Sequence, residues 1–213
     1  MSKRRNAPAR QKIVSLLILE GDTEEVFYPI IRDKFLKGIR IELRNIKGRG
    51  NVNKDVLAEI YKYAYNNCDD SIRAYCCIDT ESNTQSATPF ELELVRNRAR
   101  ERRMNQVLSI DCVLADPDIE SWFFHDIEGI YGFLRVKSSR RKTKGYINRS
   151  DLNKKDLKGL FHTFGKEYLP GKRAQNFINS LDVEKIVSCC NTLRNGIQMI
   201  KSLAEDLTNH LTF

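Results

Sequence analysis

Four short, largely apolar runs within the first 115 of this chain's 213 residues, separated by helix-periodic stretches, constrain its architecture more than any other feature. Residues 13–19 (IVSLLIL) have strand length and no polar face, the pattern of a strand buried on both sides. Residues 39–46 (IRIELRNI) alternate, and residues 73–78 (RAYCCI) and 107–115 (VLSIDCVLA) complete the set. Between them, Val26, Phe27, Ile30, Ile31 and Phe35 fall at helical spacing, as do Val56, Leu57, Ile60 and Tyr63. Helices are expected over 24–36, 53–66, 89–103 and 121–133. This alternation predicts right-handed crossovers and a mainly parallel α/β sheet flanked by helices.

From about residue 135 the pattern changes to basic loops and helices, expected over 156–164, 172–180, 183–190 and 192–207. The chain therefore divides into a basic tail expected to be disordered (1–11), an α/β domain (12–134) and a basic, mostly helical C-terminal extension (135–213). The formal net charge is +8, and residues 135–173 hold thirteen Lys/Arg against Asp151, Asp156 and Glu167. A basic lobe beside a slightly acidic one suits a polyanionic partner such as nucleic acid. The run Arg140, Arg141, Lys142 and Lys144 is the best candidate for phosphate contacts, because clustered like charges repel without a partner. No run approaches the ~20 apolar residues that cross a membrane, and the basic start lacks a long apolar h-region. The expected setting is cytoplasmic, away from membranes.

The six cysteines contain no C-x-x-C pair, which argues against a zinc knuckle or a thioredoxin-type site. Cys76, Cys77 and Cys112 lie in strand-like runs and read as buried, reduced thiols. No Glu is followed two positions later by Lys, so the Glu-x-Lys form of a PD-(D/E)xK nuclease site is unsupported, as is a dinucleotide fingerprint around Gly21.

Acidic residues gather where the expected strands end. Glu20 and Glu24 follow the first, Asp79 and Glu81 the third, and Asp116, Asp118 and Glu120 the fourth. The carboxyl ends of parallel strands share one edge, so these groups should meet in space. Carboxylates crowded together repel unless a cation neutralises them, and hard oxygen donors select Mg²⁺ or Mn²⁺. Each acid taken singly serves equally well as a helix N-cap. Trp122, Phe123 and Phe124 read as core packing, with base stacking as the alternative.

The runs LLILEGDTEEVFY and CCIDTES resemble a TOPRIM domain, a Rossmann-like fold with Glu-Gly after its first strand and Asp-x-Asp after a later one. ADPDIESWFFHD and YLPGK are similar to later segments of small stand-alone TOPRIM proteins related to the OLD-type nucleases of bacterial anti-phage defence. The resemblance spans about residues 13–175. It implies a Mg²⁺- or Mn²⁺-dependent nuclease of DNA or RNA, a defence effector, and often an ABC- or SMC-type ATPase partner; the oligomeric state stays open. Carried over by position, Glu20, Glu24, Asp79, Glu81 and Glu120 are the metal ligands. Glu20, Asp79, Glu120 and Lys172 are the catalytic set, with Lys166 as a rival for the lysine. Glu81 stands where the family has Asp. That departure leaves open a catalytically inactive module that binds nucleic acid or a partner ATPase.

Overall fold

The structure, a computed structural model, describes residues 12–48, 50–80, 89–147 and 149–209. In chain order it comprises β1 (Lys12–Leu19), α1 (Asp22–Phe35), β2 (Ile41–Asn45), α2 (Val52–Asn66), β3 (Asp70–Asp79), α3 (Leu92–Glu101) and β4 (Val107–Ala115). Then come α4 (Ile119–Phe123), α5 (Ile127–Phe133), α6 (Lys144–Ile147), α7 (Lys154–Thr163), α8 (Gln175–Ile178), α9 (Val183–Cys189) and α10 (Asn191–Asn209). The four strands form one all-parallel sheet in the order β2-β1-β3-β4.

The mostly apolar run of β1, broken only by the buried Ser15 after Lys12, follows from its position between β2 and β3, with both faces covered. Alternate residues point to opposite sides of a strand. Val14, Leu16 and Ile18 join Ile72, Ala74 and Cys76 of β3 in a core closed by Val56, Leu57 and Ile60 of α2 and Val95 of α3. Leu17 and Leu19, with Tyr75, Cys77, Val113 and Ala115, face the other way into a larger core with Phe27 and Ile31 of α1. That second core also takes Trp122, Phe123, Leu157, Phe161, Phe177, Ile186 and Leu193, so the helices beyond residue 135 build most of one layer over the sheet. The buried positions of Trp122 and Phe123 agree with the packing reading of that aromatic run. Cys76 and Cys77 are buried free thiols, whereas Cys112, expected to be buried with them, is only partly covered on the edge strand β4.

The expected helix over 121–133 is interrupted. Asp126 accepts a hydrogen bond from the Gly129 amide at 3.3 Å and caps α5, so a short 3-10 turn separates α4 from α5. The expected 89–103 helix is shorter at both ends, as α3. The stretch after 172 begins as a 3-10 turn and becomes α8. The expected basic tail, residues 1–11, lies outside the described residues. Among the described residues no helix is long and apolar enough to cross a membrane.

Chain direction fixes where a ligand can sit. From β1 the chain passes through α1, on one face, to β2. It then returns through α2, on the opposite face, to β3 on the far side of β1. The strand order therefore reverses between β1 and β3, and the crevice beyond the carboxyl ends of those two strands is the topological switch point.

One glycine sets how closely the last helix packs. A Cβ on Gly196 of α10 would lie 2.7 Å from a methyl of Val113 on β4. Gly196→Ala gains up to about 1 kcal/mol of helix propensity but forces α10 off the sheet, an overpacking cost of about 1–3 kcal/mol. Urea unfolding is expected to show a net loss. The Val113→Ala, Gly196→Ala double variant should cost less than the sum of the single changes.

Candidate metal and phosphate site

At the switch point, Glu20 directly follows β1 and Asp79 ends β3. The Glu20 amide donates to the Cys77 carbonyl at 3.2 Å, and its Oε2 accepts from the Asp79 amide at 2.8 Å. The two sequence-distant acids are thus joined through strand geometry. Two glycines lie against this region. A Cβ on Gly48, whose φ is +52°, would come within 3.5 Å of the Glu20 carbonyl oxygen; one on Gly21 would stand 3.2 Å from Glu24 Oε2. Glu24 lies in the first turn of α1 and is buried.

The fourth strand contributes the other side. Asp79 Oδ1 accepts from the Ile119 amide at 3.1 Å, at the start of α4. Asp118 caps that helix through Ser121 and also accepts the Lys154 amide at 2.8 Å, which ties the start of α7 to the site. Glu120 is fully buried. Its Oε1 accepts from Tyr168 Oη at 3.0 Å and Thr23 Oγ1 at 3.2 Å, with the Lys154 ammonium at 3.5 Å. Its Oε2 is buried with no hydrogen-bond partner. Asp116 is exposed at the edge of the cluster and accepts from Thr80 Oγ1 at 2.8 Å.

These contacts create an electrostatic conflict. Burial pushes the Glu24 carboxyl up to about 7; Glu120 and Glu20 push the same way, while a backbone hydrogen bond and Lys154 pull it down. Burial also raises Asp79 well above the usual carboxylate range, reinforced by Glu24, Glu20, Glu120 and Asp118. The Tyr168 hydroxyl is raised too, first by burial and then by the Glu120 charge, so it stays protonated and serves as a donor. The donor set is oxygen-only and crowded with like charge, and it ends in one orphaned carboxylate oxygen. In kind it fits a hard divalent cation. In the present positions, no three Asp, Glu, His or Cys groups among the described residues are close enough to hold one. Two of the carboxylates are turned towards backbone amides instead.

The sequence-derived residues divide accordingly. Glu20, Glu24, Asp79 and Glu120 are drawn together, whereas Glu81 lies outside the described residues. Lys172 is exposed on the 3-10 turn before α8, in a cleft of about 540 Å³ shared with Asp22, Glu25 and Lys47. Lys166 donates to the Phe133 carbonyl at 2.9 Å and lies over that residue's ring. The lysine that reaches the buried carboxylates is Lys154, which no motif in the sequence marks; Thr23 and Tyr168 fall inside the LLILEGDTEEVFY and YLPGK runs but carry no site signal of their own. Lys154 sits just after a capping box at Asn153, a local signal for a helix start but not for a site.

Among the basic candidates, Arg141 is committed within the fold. It pairs with Glu128 at 2.5 Å, donates to the Val136 carbonyl at 3.1 Å and lies over the Tyr131 ring. Arg140 rests over the Phe164 ring while exposed, and Lys142 and Lys144 are exposed.

Two outcomes follow from the electrostatics. Folding favours the protonated form of Glu24, a contribution complete at ordinary carboxylate pH and lost as the pH rises to about 7. In urea melts the metal-free protein should be at least about 1–2 kcal/mol more stable at about pH 5 than at about pH 7.5, and because Asp79 is displaced the same way, Glu24→Gln should reduce that difference without abolishing it. Lys154→Met leaves Glu120 without its cation and should cost about 2 kcal/mol, with Glu120→Gln restoring part of the loss. Comparison with family models, curated proteins and solved structures found no match to this chain.

Proposed function

We propose that this chain is a metal-dependent nuclease of the TOPRIM type that hydrolyses phosphodiester bonds in DNA or RNA, and that it acts as an effector of bacterial anti-phage defence. The observation that carries the reading is the joining of Glu20 to Asp79 at the β1/β3 switch point, with Glu24 and Glu120 buried beside them. Glu20, Glu24 and Asp79 would hold Mg²⁺ or Mn²⁺, with Glu81 and Glu120 as further candidates. A divalent ion held there would polarise water and draw charge from a phosphodiester oxygen.

The protein's own contribution is to hold charge in place. The Asp79 amide orients the Glu20 carboxylate, and the Ile119 amide orients Asp79. Tyr168 and Thr23 fix Glu120. Lys154 keeps a positive charge against this cluster, suited to a phosphate group entering it. Arg140, Lys142 and Lys144 offer exposed cations for phosphates farther along a strand.

The present geometry also favours a second reading. No preformed cage of three donors exists among the described residues, and Lys154 already partners Glu120. A non-catalytic module that binds nucleic acid or a partner ATPase accounts for both facts. Purified protein with plasmid, single-stranded DNA and tRNA, in Mg²⁺ or Mn²⁺, alone and with the product of the neighbouring gene, separates the two. The nuclease reading expects cutting that Glu20→Gln or Asp79→Asn lowers by at least about a hundredfold without loss of folding. Binding without cutting by any of the proteins supports the module.

A further inference from the structure

A cavity of about 550 Å³ opens beside the carboxylate cluster, between α4, α6 and the corner joining α9 to α10. Its size lies within the range of small-ligand sites. Asp116 and Ser121 form its near lip. Asp116 is bonded to the residue after Asp79, and Ser121 follows Glu120 in the chain, so the cavity adjoins the outer side of the cluster. Phe124 and Tyr146 line it as a stacked pair, with ring centroids 5.4 Å apart and planes 11° from parallel. Exposed His125 and Thr192 add polar edges.

Apart from Asp116 at the lip, whose carboxylate accepts from the Thr80 hydroxyl, the charged groups lining this cavity are matched within the fold. Arg149 bonds Asp151 at 2.9 Å and lies 3.3 Å from Asp156. Lys185 pairs with Asp126 at 3.1 Å, and Glu128 pairs with Arg141. What remains for a ligand is an aromatic wall with neutral donors and acceptors and the Asp116 carboxylate at the lip, a lining that suits a flat heterocycle better than a phosphate. The exposed cations Arg140, Lys142 and Lys144 lie just before or at the start of the segment that carries Tyr146. Phosphate contacts and a ring-binding wall thus come from one stretch of chain.

We propose that this cavity receives a single unstacked nucleobase of the strand whose phosphate lies at the carboxylates. The inference rests on the nuclease reading and narrows its substrate to single-stranded or looped nucleic acid. A continuous duplex keeps its bases stacked and would have to extrude one at a cost. Stacking on an aromatic wall tolerates any base, so the preference is for strand state rather than sequence.

The test needs neither metal nor cleavage. Anisotropy of fluorescein-labelled oligothymidylate, oligouridylate and a blunt duplex is followed on the full chain in chelator. Tighter binding of the single strands is expected. Tyr146→Ala, and separately Ser150→Trp, which fills the cavity from an exposed position, should weaken single-strand binding about tenfold and leave duplex binding unchanged. Equal single-strand affinity in folded Ser150→Trp and wild type overturns the proposal. So does a free mononucleotide that binds as tightly as the strand, which would make the cavity a nucleotide site. A chain that binds single strands through the cavity but cuts nothing in Mg²⁺ or Mn²⁺ loses the nuclease reading alone. One that cuts while both cavity variants bind like wild type loses the cavity proposal alone.

Discussion

The repulsion among carboxylates gathered at the β1/β3 switch point is the constraint around which the rest of this structure is arranged. Glu20 and Asp79 arrive there because parallel strands end on one edge and the strand order reverses between them. Glu24 and Glu120 add buried charge to the same place. Left alone, such a group would shed protons with difficulty, and Glu24 and Asp79 do have raised pKa values. The fold meets part of that cost with backbone amides, a tyrosine, a threonine and Lys154. Glu120 Oε2 remains unmet.

The helices after residue 135 have two physical roles. Leu157, Phe161, Phe177, Ile186 and Leu193 cover the sheet face that β1 and α1 expose, so the larger core would be open without them. The same region carries Lys154, at the start of α7, and Tyr168, on the loop after α7, to Glu120. The elements that close the core therefore also complete the site. The basic surface of this region divides in the same way, with Arg141 and Arg149 paired internally while Lys142 and Lys144 remain exposed.

The α/β architecture was legible in the sequence because β1, buried on both faces, is apolar at nearly every position, and the helices between strands keep a 3.6-residue period. The convergence of Glu20, Glu24, Asp79 and Glu120 was legible for the same reason, since it follows from strand polarity and nothing finer. What stayed hidden depended on tertiary contact. A lysine at the start of a helix looks like any solvated cation, and only the packing of α7 against α4 brings Lys154 to a buried carboxylate. Lys172 had the better-looking sequence context, yet it sits on a turn beside Asp22 and Glu25. The break at Asp126 was masked by an apolar period that continues across it, because the Asp126 side chain also binds the Asp182 amide and Lys185 from far along the chain.

The central claim is that distant acids meet here to hold a divalent cation. Crystals of the protein soaked in Mn²⁺ and measured at the manganese absorption edge test it most directly. The account predicts an anomalous peak between the Glu20 and Asp79 carboxylates, lost in Asp79→Asn. The same soak with both side chains still turned to backbone amides and no peak near either would contradict it.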